Sequence, residues 1–463
     1  MKSPGSAAIA WVGAAVSIFA ALSVSARETI LDTYVHQALE SNLALTQQDF
    51  SYQESIADLR QARAGFFPSL DILARYTRAE GGRVFEFPIG DIVNPIHAAL
   101  NQITGEDEFP TDVRNQTISF LREKEQETKI EIVQPIFQPA VYYNYRVMSS
   151  RADAGRASRD QFKHDLVKEV RTAYFSYLKA VNLVDLAQRT EELLDEHLRV
   201  SQSLYENGKA TRDVVYRARA ELSKAQQSRA DAEKGSYLTR AYFNFLLNRP
   251  LDESIEIMSL PSEPADPPLT LSDAVRRALE KRLEIRQADR GLEAADNALK
   301  LARTGYLPGL SLSFDYGIQG EKYRISDEDD FWTASLVLQW NLFDGLGKNA
   351  KINQAKLEKS KMDARREEIV RRIELEVGDT YRTLTVAKQN IATSTDQVES
   401  ASKSFEIVNR KFQEGVASHV EFIDARTAMT SAEISRIVAV CDYLISYAEF
   451  ERVTALYPLG DGK

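Results

Sequence analysis

Two stretches of this chain, 240 positions apart, are near copies. Ala62-Arg63-Ala64-Gly65-Phe66-Phe67-Pro68-Ser69-Leu70 returns as Ala302-Arg303-Thr304-Gly305-Tyr306-Leu307-Pro308-Gly309-Leu310. Each ends a polar, helix-like run at a proline and opens a stretch that alternates apolar and polar residues. Proline cannot continue a helix but can begin a strand, so Pro68 and Pro308 mark helix-to-strand junctions. An internal copy of this kind restricts the chain to architectures made of one unit used twice.

The correspondence extends in both directions. Ala38-Leu39-Glu40 matches Ala278-Leu279-Glu280 at the same offset. Gln134-Pro135-Ile136-Phe137 matches Trp340-Asn341-Leu342-Phe343, now 206 apart. Tyr205-Glu206-Asn207-Gly208-Lys209-Ala210-Thr211 matches Phe412-Gln413-Glu414-Gly415-Val416-Ala417-Ser418, 207 apart, and Ala218 and Ala425 follow each glycine at the same distance. The change of offset gives the first copy about 34 extra residues between its alternating segments. The resulting division is a first repeat over 27–260 with an insertion at 81–125, a linker over 261–268, a second repeat over 269–456, and a tail over 457–463. Pro261, Pro264, Pro267 and Pro268 stiffen the linker.

Residues 1–26 have the form of an export signal: Lys2, an apolar run from Ala7 to Leu22, and Val24-Ser25-Ala26 before Arg27. An uncleaved anchor is the rival reading. Arg27 in place of a cysteine argues against N-terminal lipid attachment. The net charge of -10 argues against nucleic acid or an anionic membrane surface as partner. Cys441 is the only cysteine, so no intrachain disulfide forms, and its apolar neighbours predict a buried thiol.

Four segments alternate with period two. Leu310, Leu312, Phe314, Tyr316 and Ile318 interleave with Ser311, Ser313, Asp315, Gly317 and Gln319. Leu70 to Thr77, Lys129 to Ile132 and Trp332 to Trp340 behave likewise. One greasy and one wet face suits a membrane barrel strand of about 9–11 residues. Trp332 and Trp340, with Tyr76 and Tyr316, then form an interfacial aromatic belt. A soluble half-buried sheet alternates in the same way. The export signal, the lack of any other sheet signal and the long helices favour the membrane reading. Four strands cannot close a barrel, and lipid does not tolerate an open edge, so several chains must share one.

Ala, Leu, Glu, Arg, Lys and Gln dominate the remaining tracts, the profile of long helices. A single helix from about Tyr142 to Leu204 would reach about 100 Å. Leu186, Leu193 and Val200 recur every seven residues, interleaved with Thr190, His197 and Leu204. Ile391, Val398, Phe405 and Phe412 do the same, with Ala401 and Val408 between. Gly208 and Gly415 end these helices, and Thr211 and Ser418 are N-cap candidates for helices that return over about Asp213 to Leu247 and Val420 to Leu456.

This duplicated order of helix, strand, strand and long helical hairpin, with its Gly-Phe-Phe-Pro and Gly-Tyr-Leu-Pro junctions and paired tip turns, resembles the TolC-like outer-membrane efflux protein family. The likeness covers about Ile30 to Ala455. It implies a mainly α fold with a small β part: a homotrimer whose four antiparallel strands per chain share a 12-stranded β-barrel and whose hairpins form an α-barrel tunnel through the periplasm. It further implies a periplasmic adaptor engaging the tips (Gly208, Lys209, Ala210, Thr211; Gly415, Val416, Ala417, Ser418) and, through it, an inner-membrane transporter. Family members narrow the tunnel with acidic residues after the second tip. Six and nine residues past Gly415 stand Glu421 and Asp424, and near the equivalent first-repeat position stands Asp213, beside Val214. The alternative is a pair of solvated helix carboxylates, Glu421 aided by the helix N-terminus. Phe412 and Ala417 replace the family's tyrosine and arginine latch residues and cannot make their hydrogen bonds. The expected substitute is Glu421 and Asp424 held by Arg410, Lys411 or Arg426.

The function so implied is a passive outer-membrane exit duct for tripartite efflux or type I secretion, without cofactor or metal. His36, His97, His164, His197 and His419 show no metal-ligand spacing. Gly345-Leu346-Gly347-Lys348 lacks the remainder of a phosphate loop, and no serine elbow occurs. A periplasmic coiled-coil scaffold or adhesin is the competing reading. Within the insertion, Phe85-Glu86-Phe87-Pro88, a short helix over Ile96 to Ile103 and Phe109-Pro110 predict a folded extracellular cap, opposite the acidic Asp327-Glu328-Asp329-Asp330 loop.

Overall fold

The computed structural model describes residues 30–261, 266–323 and 329–458. The expected export signal, linker residues 262–265, Asp327 and Glu328 of the acidic loop, and residues 459–463 lie outside the described residues. In chain order the elements are α1 (Ile30–Ser41), α2 (Leu43–Ala64), β1 (Ser69–Arg78), β2 (Val84–Phe87), α3 (Ile89–Thr104), β3 (Gln116–Ser119), β4 (Lys124–Phe137), α4 (Pro139–Glu206) and α5 (Arg212–Leu246). The second copy follows as α6 (Leu271–Lys281), α7 (Leu283–Arg303), a 3-10 turn (Thr304–Tyr306), β5 (Gly309–Gly320), β6 (Asp330–Gln339), α8 (Gly347–Gln413) and α9 (His419–Val453). The fold is thus mainly helical with a small antiparallel sheet. None of the described helices is long and apolar enough to cross a membrane.

Two compact units cut across the duplication. One gathers the stretch ending at Asn42 with Leu166–Ala265 and Val386–Ala448; the other gathers Leu43–Asp165, Asp266–Thr385 and the chain from Glu449. Each draws on both copies.

In the first unit, α1 docks through Val35 and Ala38. The ring of Tyr34 meets Phe243 edge-on at 5.2 Å. Asn42 and Ser41 donate to the carbonyls of Leu246 and Leu247 at 2.8 and 2.7 Å, satisfying the end of α5. The single cysteine, Cys441, is fully buried, and burial pushes its thiol up to about 12.

In α8 the buried or half-buried positions keep the seven-residue repeat throughout, from Ile373, Val377 and Thr380 to Phe405, Val408 and Phe412. In α4 they do not. The fully buried residue is Leu194 rather than Leu193, and burial steps through Leu186, Leu194, His197 and Ser201. A straight helix drifts by about 20° per heptad, and one four-residue step moves the stripe to its neighbour.

The second unit holds the four-stranded sheet, ordered β1-β4-β5-β6 and antiparallel throughout. Register aligns the period-two pattern across all four strands. Ile72 lies opposite Ile130, Ile130 opposite Tyr316 and Tyr316 opposite Trp332; the next apolar row is Leu70, Ile132, Phe314 and Ala334. The alternate rows are polar: Asp71, Glu131, Asp315 and Thr333 share one of them. On that face Lys129 pairs with Asp315 at 2.9 Å and Arg75 with Glu127 at 2.7 Å. Pro135 in β4 costs one ladder donor, and a bulge follows it before Phe137.

The insertion is ordered and holds a second sheet, β2 with β3, which the sequence did not announce. Its helix begins at Ile89, seven residues before the expected start. Pro95 lies inside this helix, where proline withholds a donor and crowds the preceding turn, and side-chain bonds to the following loop hold the helix across it. Asn94 exchanges hydrogen bonds with the backbone of Val113, both 2.9 Å, and Asn101 does so with Phe109 at 2.7 and 2.9 Å. The polar side of α3 is thereby turned onto its own loop. Ile92, Ile96 and Ile103 are left exposed.

Candidate functional site

The duplication is obeyed down to single hydrogen bonds at the helix-strand junctions. Pro68 precedes β1 and Pro308 precedes β5. The Gln134 amide donates to the carbonyl of Phe66 at 3.1 Å, and in the second copy the Trp340 indole donates to the carbonyl of Tyr306 at 3.1 Å. Different donors at one matched position hold the same backbone turn.

The exposed apolar face of the sheet carries the belt aromatics. Tyr76, Tyr316, Trp332 and Trp340 are all more than half exposed, as are Leu70, Ile72, Leu336 and Leu338. Tyr316 pairs across strands with Trp332, whereas Trp340 follows the last residue of β6. Among the described residues, β1 and β6 each have one strand neighbour, which leaves both outer edges of the sheet unpaired there.

The hairpin tips are built from the same turn. Gly208 and Gly415 have φ of +70° and +78°. The next N–H reaches back five residues in each case, Lys209 to Leu204 and Val416 to Lys411, both at 2.8 Å. That is a Schellman cap, whose left-handed residue is costly with any Cβ. Gly415→Ala should cost about 1 kcal/mol of local stability, seen as faster amide exchange at Val416 with the rest of α8 unchanged.

The outgoing helices start differently. Ser418 Oγ accepts from the Glu421 N–H at 3.2 Å, while the Glu421 carboxylate accepts from the Ser418 N–H at 2.7 Å, a reciprocal capping box. These bonds hold the Glu421 carboxyl below its usual range. Thr211 makes no such side-chain cap; its hydroxyl donates to the Asp213 carboxylate, which also lies 3.5 Å from Arg217. Asp424 is exposed on α9, joined to neither Glu421 nor Asp213 by hydrogen bond or ion pair. Of the basic groups expected to latch these acids, Arg410 is engaged with Glu406 and Arg426 with Glu221, both at 3.3 Å, while the charge of Lys411 helps to lower Glu421. Glu406 is one turn away on the same helix as Arg410, and Glu221 stands on α5 facing Arg426.

Behind the tips the stripe residues Phe405 and Phe412 meet Phe422 of α9 in an aromatic core, a convergence that spacing along the chain did not reveal. Leu194, Phe405, Phe412 and Phe422 are buried together with Ala225. Phe412, expected to be unable to serve as a hydrogen-bonding latch, packs here. His197 stacks on Phe422, centroids 4.0 Å apart and planes 3° from parallel, and its Nε2 lies 3.0 Å from Nδ1 of His419. The two histidines are 222 positions apart, and no local pattern links them. Among the described residues, no three His, Cys, Asp or Glu side chains converge as metal ligands.

A duplicated pair of helical hairpins continuous with an open antiparallel sheet, apolar on its exposed face, defines the subunit class of outer-membrane channels. The family model described as outer membrane efflux protein matches residues 111–242 and 274–455, and the chain belongs to that family. Outer membrane protein TolC of Escherichia coli is 20% identical over 455 residues, covering 94% of this chain and 83% of TolC. Outer membrane protein OprJ of Pseudomonas aeruginosa is 23% identical over 291 residues, 62% of this chain but only 59% of OprJ. The Campylobacter jejuni CmeC outer membrane channel superposes with a TM-score of 0.75 at 15% identity, covering 92% of this chain and 85% of CmeC. The open-state Neisseria gonorrhoeae MtrE channel gives 0.73 at 18% identity, covering 92% and 88%.

Proposed function

We propose that this protein is an outer-membrane exit duct, passively conducting substrates of a tripartite efflux or type I secretion system from the periplasm to the outside. The observation that carries this reading is the sheet: one apolar face exposed, one charged face, and two unpaired outer edges. Lipid accepts such a face but not such edges, which a neighbouring copy must pair. Three copies, edge to edge, give the twelve-stranded barrel of the homotrimer. The charged rows then line a wet lumen, and the eight residues of the two tip turns meet a periplasmic adaptor that links the duct to an inner-membrane transporter. The duct itself makes and breaks no bond. The insertion sits at the strand ends away from α2 and α4, where Arg78 pairs with Lys124, and is proposed as the extracellular cap.

Asp424 is the carboxylate we assign to the periplasmic constriction, with Asp213 nearer the first tip. Glu421 serves first as a helix cap. A ring of three aspartates favours cations. The protein should require detergent for extraction, run as a trimer in native mass spectrometry and form cation-preferring channels in planar bilayers. Asp424→Ala should raise conductance and lower cation preference. A buffer-extractable monomer that forms no channels would remove the duct reading. A channel indifferent to Asp424→Ala would remove only the constriction assignment.

A further inference from the structure

The pair His197 and His419 has a geometry that depends on its protons. A nitrogen-to-nitrogen hydrogen bond needs one N–H and one lone pair, and Nε2 of His197 meets Nδ1 of His419 at 3.0 Å. Once both rings are imidazolium, two N–H groups and two positive charges face each other across that gap. His197 is 3% exposed, clamped between Phe422 at 4.0 Å and Phe412 at 4.7 Å, and its Nδ1 is buried without a hydrogen-bond partner. A proton added at Nδ1 therefore finds no acceptor. His197 stands on α4 of the first hairpin, and His419 is the first residue of α9 in the second. The bond joins hairpin to hairpin.

We infer that His197 and His419 form a proton-released clasp between the two hairpins of each chain, closed while one proton lies in the gap between the two rings and opened when both rings become imidazolium.

The surroundings press in the same direction. The N-terminus of α9 disfavours a cation at His419. Arg426, from α9, acts against a charge on His197, and Arg217, from α5, against one on His419. Glu221 and Asp213 of α5 favour the charge on His419, but Arg426 engages Glu221 at 3.3 Å and Thr211 and Arg217 engage Asp213. From α8 the facing side chains Phe405, Val408 and Phe412 are uncharged. Burial, then His419 and Arg426, lower His197 to about 4; burial and Arg217 lower His419.

The sign follows. The open state takes up protons near the ordinary histidine value of 6.5, while in the clasped state His197 is lowered to about 4 and His419 is lowered as well. Clasping is therefore at full strength above that value and is lost as pH falls from 6.5 toward 4. Each pH unit in this window shifts the balance toward opening by up to about tenfold per histidine.

The test is hydrogen exchange on the full-length protein in detergent micelles, corrected for the intrinsic pH effect, over residues 190–206 and 408–425. Between about pH 7.5 and 5, exchange in both segments should rise at least roughly tenfold. His197→Phe keeps the stack and removes the proton site, so its profile should be flat; His419→Asn, which leaves the aromatic core untouched, should flatten it too. Exchange unchanged in the wild-type protein, or full pH dependence in either variant, overturns the clasp. This readout requires no channel activity, so it stands apart from the duct reading, on which only one consequence rests: acid should raise conductance.

Discussion

Phe314→Arg should abolish assembled protein in the outer membrane. Phe314 lies mid-strand in β5, with Ile132 on one side and Ala334 on the other, and its face is exposed. An arginine near the bilayer centre on the lipid side of a barrel costs about 2–4 kcal/mol. In the proposed homotrimer three copies would meet the cost at the same depth, roughly three times that amount. The matched control is its neighbour. Ser313 pairs with Val133 and Ser335 in a row of the opposite face, and Ser313→Lys should assemble normally. Heat-resistant trimer on gels of outer-membrane fractions reads both. If the serine variant fails and the phenylalanine variant assembles, the two faces have been assigned the wrong way round; if both assemble, the sheet does not meet lipid.

Arg452→Met should be the most damaging substitution in the helical part of the second unit. Arg452 donates to Glu376 and Glu449 and approaches Asp165 at 3.4 Å, while Arg282 donates to Glu284 and to the same Glu376. Arg282 and Arg452 are only 6% and 14% exposed. Removing this cation leaves Glu449 and Asp165 without it and Glu376 with Arg282 alone, a loss of about 3 kcal/mol, toward the lower end of such cases because Arg282 remains and these carboxylates still reach water. Burial works against ionisation of Glu376, but Arg282 and Arg452 outweigh it and hold its pKa below the ordinary 4.5. Its stabilising contribution is therefore complete above pH 4.5 and is lost as pH falls through its lowered value. Asp165 has the opposite sign. Burial raises its pKa despite Arg452, so its charge is a strain at neutral pH that protonation relieves. Chemical unfolding followed by helical circular dichroism should show a deficit in Arg452→Met that narrows on mild acidification. A further Glu376→Gln change should recover part of it. A deficit below about 1 kcal/mol would mean that the network is no more than a set of surface pairs.

Capping chemistry was written in plain sequence, yet it competed with a second reading. Ser418-His419-Val420-Glu421 has the spacing of a capping box, and the hydrogen bonds follow it. Counting from Gly415 alone gave Glu421 and Asp424 equal standing as constriction residues. The structure shows one further duty for Glu421, whose carboxylate already serves the backbone of Ser418. The α3 boundary failed for a different reason. Pro95 is a local stop signal, and the bonds from Asn94, His97 and Asn101 that override it come from residues 109–113.

The amino-acid order alone was enough to establish the repeat, the four period-two strands, the two long hairpins and the glycine turns at their tips. Each of these is set by neighbours within a few residues, through helical or strand periodicity, a proline, or a positive φ. The meeting of His197 with His419, of Arg282 with Glu376 and Arg452, and the orientation of α3 were decided only in three dimensions. The histidine and arginine partners, 76 to 222 positions apart, approach one another only when helices pack, α3 is turned by a loop 8 to 19 positions away, and nothing in the spacing along a chain records which faces will touch.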